Sequence, residues 1–274
     1  MLFLVSLVLK TFRWLFAKGK HRNRAILLAC IATIVPLSQL FVIRIFSQMI
    51  LEGHSEPLSK TIINFILFFG LFAISHIATY WQKTYRVKVF NDALGSRPGW
   101  RSKMTESWDW ALTFETNNLL HTFTQVLVLA GFFIYVNWQA GLVNFALTLI
   151  TMQVIKMMFV KQQVTQEGFA LAQKKNQPVS AGTKVSARIK SAELGTLVAN
   201  GVFVISLGVL LAFSYLGAVA PADAVMLFLG FRMQNNNIGQ TSGSLMRFAR
   251  AKAQREAPNK YRNLKIDEDE EELG

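Results

Sequence analysis

The chain has 274 residues, 52% of them hydrophobic and only 16% charged, with a mean hydropathy of +0.32. A soluble domain carries about 25% charged residues, so this composition disfavours an ordinary globular enzyme, and the clustering of apolar residues into long runs points to a membrane. The net charge is +13, yet six of the 16 acids fall in the closing run DEDEEELG, which leaves the rest of the chain strongly basic.

The opening MLFLVSLVLK has no basic region before its apolar run and no small-residue cleavage site, so it does not read as a cleaved signal peptide. Together with TFRWLFAKGKHRNR it reads as a helix lying in the membrane interface over residues 1–24. Trp14 and Phe16 are expected at headgroup depth, and Lys18, Lys20, Arg22 and Arg24 among anionic lipids. Six stretches follow within residues 25–250, each of about 20 largely apolar residues: 25–50, 61–82, 119–136, 138–160, 193–216 and 222–246. Pro36 predicts a kink in the first. The third and fourth are separated only by NWQ and must form a tight hairpin, and GAVAPAD joins the fifth to the sixth. Residues 251–274 read as a basic and then acidic tail, disordered at its end. Cys30 is the single cysteine, which excludes an intrachain disulfide framework and a cysteine-based metal site; it reads as a small packing residue.

Basic residues test this division, because cytoplasmic loops are enriched in Lys and Arg. They are dense before the first stretch, between the second and third (Lys83, Arg86, Lys88, Arg97, Arg101, Lys103), between the fourth and fifth (Lys174, Lys175, Lys184, Arg188, Lys190), and after the sixth. The intervening connections hold one lysine or none. The alternation predicts six spans with both termini cytoplasmic, and it explains the positive charge as orientation rather than as a nucleic-acid surface. Both basic connections are long and read as helical, broken at GSRPG (Gly95, Pro98, Gly99) and at PVSAG (Pro178, Gly182). Helices are expected to leave the membrane in pairs, each pair closed by a short turn.

An interfacial helix, six spans, short outer loops and two long helical cytoplasmic loops resemble the transmembrane domain of type I ABC exporters. FIYVNWQAGLVNFALTLI is similar to that family's third-to-fourth span hairpin, RIKSAELG to the end of its second cytoplasmic loop, and LGAVAPADAVMLFLGFRM to the start of its sixth span. The resemblance implies an all-α integral membrane fold working as a homo- or heterodimer in the lipid bilayer. It departs from the family in lacking any G-x-x-x-x-G-K-[ST] sequence or ABC signature. If ATP drives this protein, the resemblance implies a separate nucleotide-binding subunit docking on the turns at Gly95, Pro98 and Gly99 and at Pro178 and Gly182. ATP would then act only through that partner, with no cofactor bound by this chain. The bacterial cytoplasmic (inner) membrane is the expected location.

The sixth stretch is polar where lipid-compatible residues should continue: FRMQNNNIGQTSG. Arg232 falls near mid-bilayer, about 15 Å in at ~1.5 Å per residue, where a charge normally faces protein or water. A helical wheel groups Arg232, Asn235, Asn236, Gly239, Ser242 and Gly243 on one side, with Gln240 added as a pathway candidate, and Leu227, Phe231, Ile238 and Leu245 opposite as a lipid-facing stripe. The polar side is either the wall of a substrate pathway or glue between helices. Ser38 and Gln39 in the first span and His76 in the second are further pathway candidates; Arg44 is expected to snorkel outward. The Trp-rich ESWDWALTFE, holding Glu106, Asp109 and Glu115, reads as a solvated helical face or as a partner groove. No H-E-x-x-H or paired-carboxylate pattern occurs, so neither a metal site nor an enzyme activity is expected. The leading expectation is the membrane subunit of an exporter-like ABC system. A proton-coupled carrier using His76 and His121 is one rival, and a non-transporting membrane scaffold or regulator is another.

Overall fold

The computed structural model describes residues 2–16, 19–51, 57–95, 103–177 and 179–271, and these are all-helical. Seven helices follow in order: α1 Leu2–Leu15, α2 Gly19–Leu51, α3 Leu58–Gly95, α4 Lys103–Val136, α5 Trp138–Lys174, α6 Ala181–Tyr215 and α7 Pro221–Glu271. Five of them, α2 to α6, are long and apolar enough to cross a membrane, as an integral membrane protein requires. α7 does not meet that standard of apolarity, because the polar residues from Arg232 onward interrupt it. It is nevertheless the central helix, packed against α2, α4, α5 and α6. Pro36 lies inside α2 without ending it.

Local chemistry sets the helix ends. Asn137 is extended (φ −146°) and its side chain accepts a 2.9 Å hydrogen bond from the Ala140 N–H, capping α5. Gly141 approaches α4 so closely that a Cβ would lie 2.6 Å from Ile134 Cα, so the hairpin needs glycine there. Ser180 caps α6 through Thr183 N–H at 3.0 Å. Gly217, just beyond α6, adopts φ +73°, the left-handed conformation that lets a chain leave a helix.

Long-range contacts fix the direction of each helix. Asn137 Nδ2 donates to Ala218 O at 3.1 Å, so the α4–α5 and α6–α7 turns share one end of the bundle. Arg44, late in α2, pairs there with Asp223 at the start of α7 (2.9 Å) rather than snorkelling outward. At the other end Arg24 pairs with Asp92 (3.6 Å), Glu115 with Arg247 (2.5 Å) and Asp109 with Arg255 (2.6 Å). Successive long helices therefore run antiparallel, with the basic connections gathered at one end. The solvated face expected of Asp109 and Glu115 is instead a seam between α4 and α7, in which Glu115 is buried.

Three further expectations are corrected by packing. Leu227, Phe231, Ile238 and Leu245 are all buried: the apolar stripe of α7 faces the bundle core, while on its polar side Arg232, Asn236 and Gln240 are open and Ser242 is buried against α6, donating to Ala192 O at 3.2 Å. Phe16 is buried against Phe12 and Phe90 (ring centroids 4.8 and 5.9 Å) instead of lying among headgroups, because α1 packs its Leu4–Val8–Phe12 face on the bundle. Cys30 is exposed on α2, not packed. Lipid-compatible surface lies elsewhere, on α3, where Ile62, Ile66, Phe69, Phe72 and Ile77 stand outward.

Candidate functional site: a polar groove along the last helix

Successive residues of a helix point about 100° apart, so the run Gln234–Asn237 sends four amides in four directions. Gln234 points into the bundle. Its carbonyl accepts from Asn144 Nδ2 of α5 (2.8 Å), its Nε2 donates to Thr148 Oγ1 (2.8 Å), and Ser206 of α6 donates to Asn144 Oδ1 (3.3 Å). All four are buried, so they form a polar clamp across three helices in an apolar surround. Asn235 turns toward α6 and donates to Asn200 Oδ1 at 2.8 Å. Asn236 is exposed, as is Gln240 one turn later.

Asn236 and Gln240 face two cavities. One, of 750 Å³, opens between α4, α6 and α7, with Asn118, Thr196, Asn200 and Asn235 in its wall and Arg188 and Arg247 toward its inner end. The other, of 360 Å³, lies between α2, α3, α4 and α7 and includes Gln39, Thr79, Gln82 and Gln125. Both are bordered by His121, Asn236 and Gln240, so they form one trough across the open face of α7. Its walls carry amides, hydroxyls and a few charges. Such a surface can hydrogen-bond a polar ligand and would be costly against lipid tails.

Of the residues expected here from the sequence, Asn235, Asn236, Gly239, Gln240 and Gln39 border the trough. Gly239 approaches Thr196 of α6, where a Cβ would make ordinary contact at 3.5 Å. Arg232 is exposed one turn nearer the outer end and borders neither cavity. Ser38 is helix glue: it is buried, bonds its own helix at Val35 O (2.8 Å) and meets Ser75 of α3 through a short hydrogen bond. His76 is exposed on α3 and packs edge-on against Phe72 (4.5 Å), away from the trough. Gly95 and Gly182 are exposed at the basic end of the bundle, while Pro98, Gly99 and Pro178, like Lys18, lie outside the described residues.

Arg188, Thr196, Asn200 and Arg247 also line the trough without being pathway candidates on sequence, and His121, expected only as a proton-handling residue of the carrier alternative, joins them. A signal for the α6 wall was present. Arg188, Thr196 and Asn200 fall on one face at multiples of four residues, a polar stripe entering an otherwise apolar helix. No metal-binding group of three or more His, Cys, Asp or Glu occurs among the described residues. No protein-family model matches this chain, and no curated protein sequence does.

Proposed function

We propose that this chain is the membrane-spanning permease subunit of an exporter-like ABC transport system. It would act as a dimer, with an ATPase supplied by a separate chain that docks near Gly95 and Gly182. In this reading α7 is the sixth span, α1 is the interfacial helix and both termini are cytoplasmic. The observation that carries the proposal is the trough: a polar surface of Asn236, Gln240, Asn200 and His121 opening from a bundle of apolar helices. A groove that is expensive to expose to lipid has an evident use if it faces water and a passenger. The antiparallel run of the helices, with basic connections at one end, supports the same topology.

The test is flux in cells or vesicles together with co-purification. An ATPase recovered in stoichiometric amount, and flux abolished by ATP depletion, are expected; recovery of an unrelated complex with no flux would sink the reading. One observation favours a second reading, a proton-coupled carrier. His121 borders both cavities, and its buried Nδ1 has no hydrogen-bond partner among the described residues. Flux that survives ATP depletion and collapses with an uncoupler would select that reading.

A further inference from the structure

At the inner end of the trough the balance of charge changes. Arg247 Nε donates to Glu115 Oε1 at 2.5 Å and Nη2 to Ser244 Oγ at 2.9 Å, while half of the side chain stays exposed to the cavity. Arg188 borders the same cavity from α6 and makes no ion pair among the described residues. Burial, and then the neighbouring Arg250 and Arg247 guanidiniums, lower its pKa from the ordinary arginine value. Glu193 is the one carboxylate among the described residues that border the cavity. Glu115 lies behind Arg247 in the α4–α7 seam. Crowded cations that hold one another at an electrostatic cost attract an anion.

The surroundings of Glu115 are also incomplete. Among the described residues its buried Oε2 has no hydrogen-bond partner, and neither has Nε of Arg86 on α3. Arg86 meanwhile donates to Asn118 Oδ1 at 3.0 Å, and Asn118 borders the cavity. Burial lowers the pKa of Arg86 and Glu115 raises it, as for a cation and carboxylate within electrostatic reach. Glu115 thus has a second cation at hand if Arg247 turns away.

We propose that the inner end of the trough is an anion subsite, in which Arg188 and Arg247 bind the oxyanion group of the carried molecule and Arg247 is handed over to it from Glu115. Guanidinium forks suit carboxylate and phosphate oxygens alike. The amide belt of Asn200, Asn235, Asn236 and Gln240 hydrogen-bonds the rest of a polar ligand, next to its charged group. This rests on the reading of the trough as a ligand pathway. Its test reads binding rather than flux, so failure here leaves the transport proposal standing, and failure of transport leaves the subsite standing.

The experiment titrates inorganic phosphate into the purified full-length chain in uncharged detergent at fixed ionic strength, by calorimetry. Saturable binding is expected for the wild type, weakened about tenfold or more in Arg188→Gln, as loss of one charge-assisted contact implies. Glu115→Gln is expected to bind phosphate several-fold more tightly, because Arg247 no longer has a competing carboxylate. A merely structural role for Glu115 predicts the opposite sign. Equal binding by wild type and Arg188→Gln, or weaker binding by a folded Glu115→Gln, would overturn the proposal. Should Glu115→Gln not fold, the partly exposed Arg188→Gln decides alone. Repeating the titration in phosphatidylcholine and phosphatidylglycerol nanodiscs identifies the source of the anion. Loss of phosphate binding only in phosphatidylglycerol marks a lipid headgroup, and unchanged binding marks a soluble ligand.

Discussion

Asn144 of α5 donates a 2.8 Å hydrogen bond to the side-chain carbonyl of Gln234 of α7, and both residues are buried. The two lie 90 positions apart in sequence, so the bond fixes the rotation of α7 about its axis. With Gln234 turned inward, Asn236 and Gln240 must turn outward. Gln234→Leu leaves Asn144 and Thr148 without that partner, a loss of about 1–3 kcal/mol if nothing replaces it. A clear fall in melting temperature of the purified protein is expected, whereas Asn236→Leu, at an exposed position, should melt like the wild type.

Asn236→Leu and Gln240→Leu instead test the pathway. Each removes a hydrogen-bonding group from the wall common to both cavities without uncovering a buried partner. Flux should fall several-fold at normal expression, and the two changes together should nearly abolish it. Wild-type flux in the double variant would take the trough out of the transport route.

The α4–α5 hairpin makes a steric prediction. Gly141→Ala forces a Cβ into the backbone of Phe133 and Ile134 and should cost several kcal/mol, or fold poorly. Gly208→Ala, where nothing lies within 4 Å, should be neutral or slightly stabilising in its helix. Comparing expression and melting of the two separates close packing from a general intolerance of substitution.

Arg255 joins three helices. It pairs with Asp109 of α4 at 2.6 Å, and its guanidinium lies 3.6 Å from the centroid of Trp14 on α1. Asp109→Asn should loosen α1 and the inner part of α7 together. The expected sign is faster hydrogen exchange in both segments, with exchange at the Asn137 hairpin unchanged.

Much of this architecture is legible in local chemistry. Asn137, Ser180, Gly217 and Gly95 mark helix ends because capping and left-handed turns depend on a few adjacent residues. The polar run in α7 is equally visible. What each of its residues does is not, because a wheel gives the angles between side chains but not which neighbouring helix covers each angle. That is why the Leu227–Leu245 stripe reads as lipid-facing in the sequence and is core in the structure. The Glu115–Arg247 pair spans 132 positions. Nothing local distinguishes Glu115 from Glu106 on the same helix, and only the approach of α7 makes it a buried partner.

The Asn236–Gln240 face of α7 is expected to be open to water while Gln234 is buried in the bundle core. Single cysteines at Gln240 and at Gln234, each in a Cys30→Ser background, test it most directly through reaction with a charged, membrane-impermeant thiol reagent in inside-out vesicles. Rapid modification of Gln240→Cys and none of Gln234→Cys is the predicted result. Protection of Gln240→Cys from the charged reagent, with modification only by a lipid-soluble maleimide, would contradict the account.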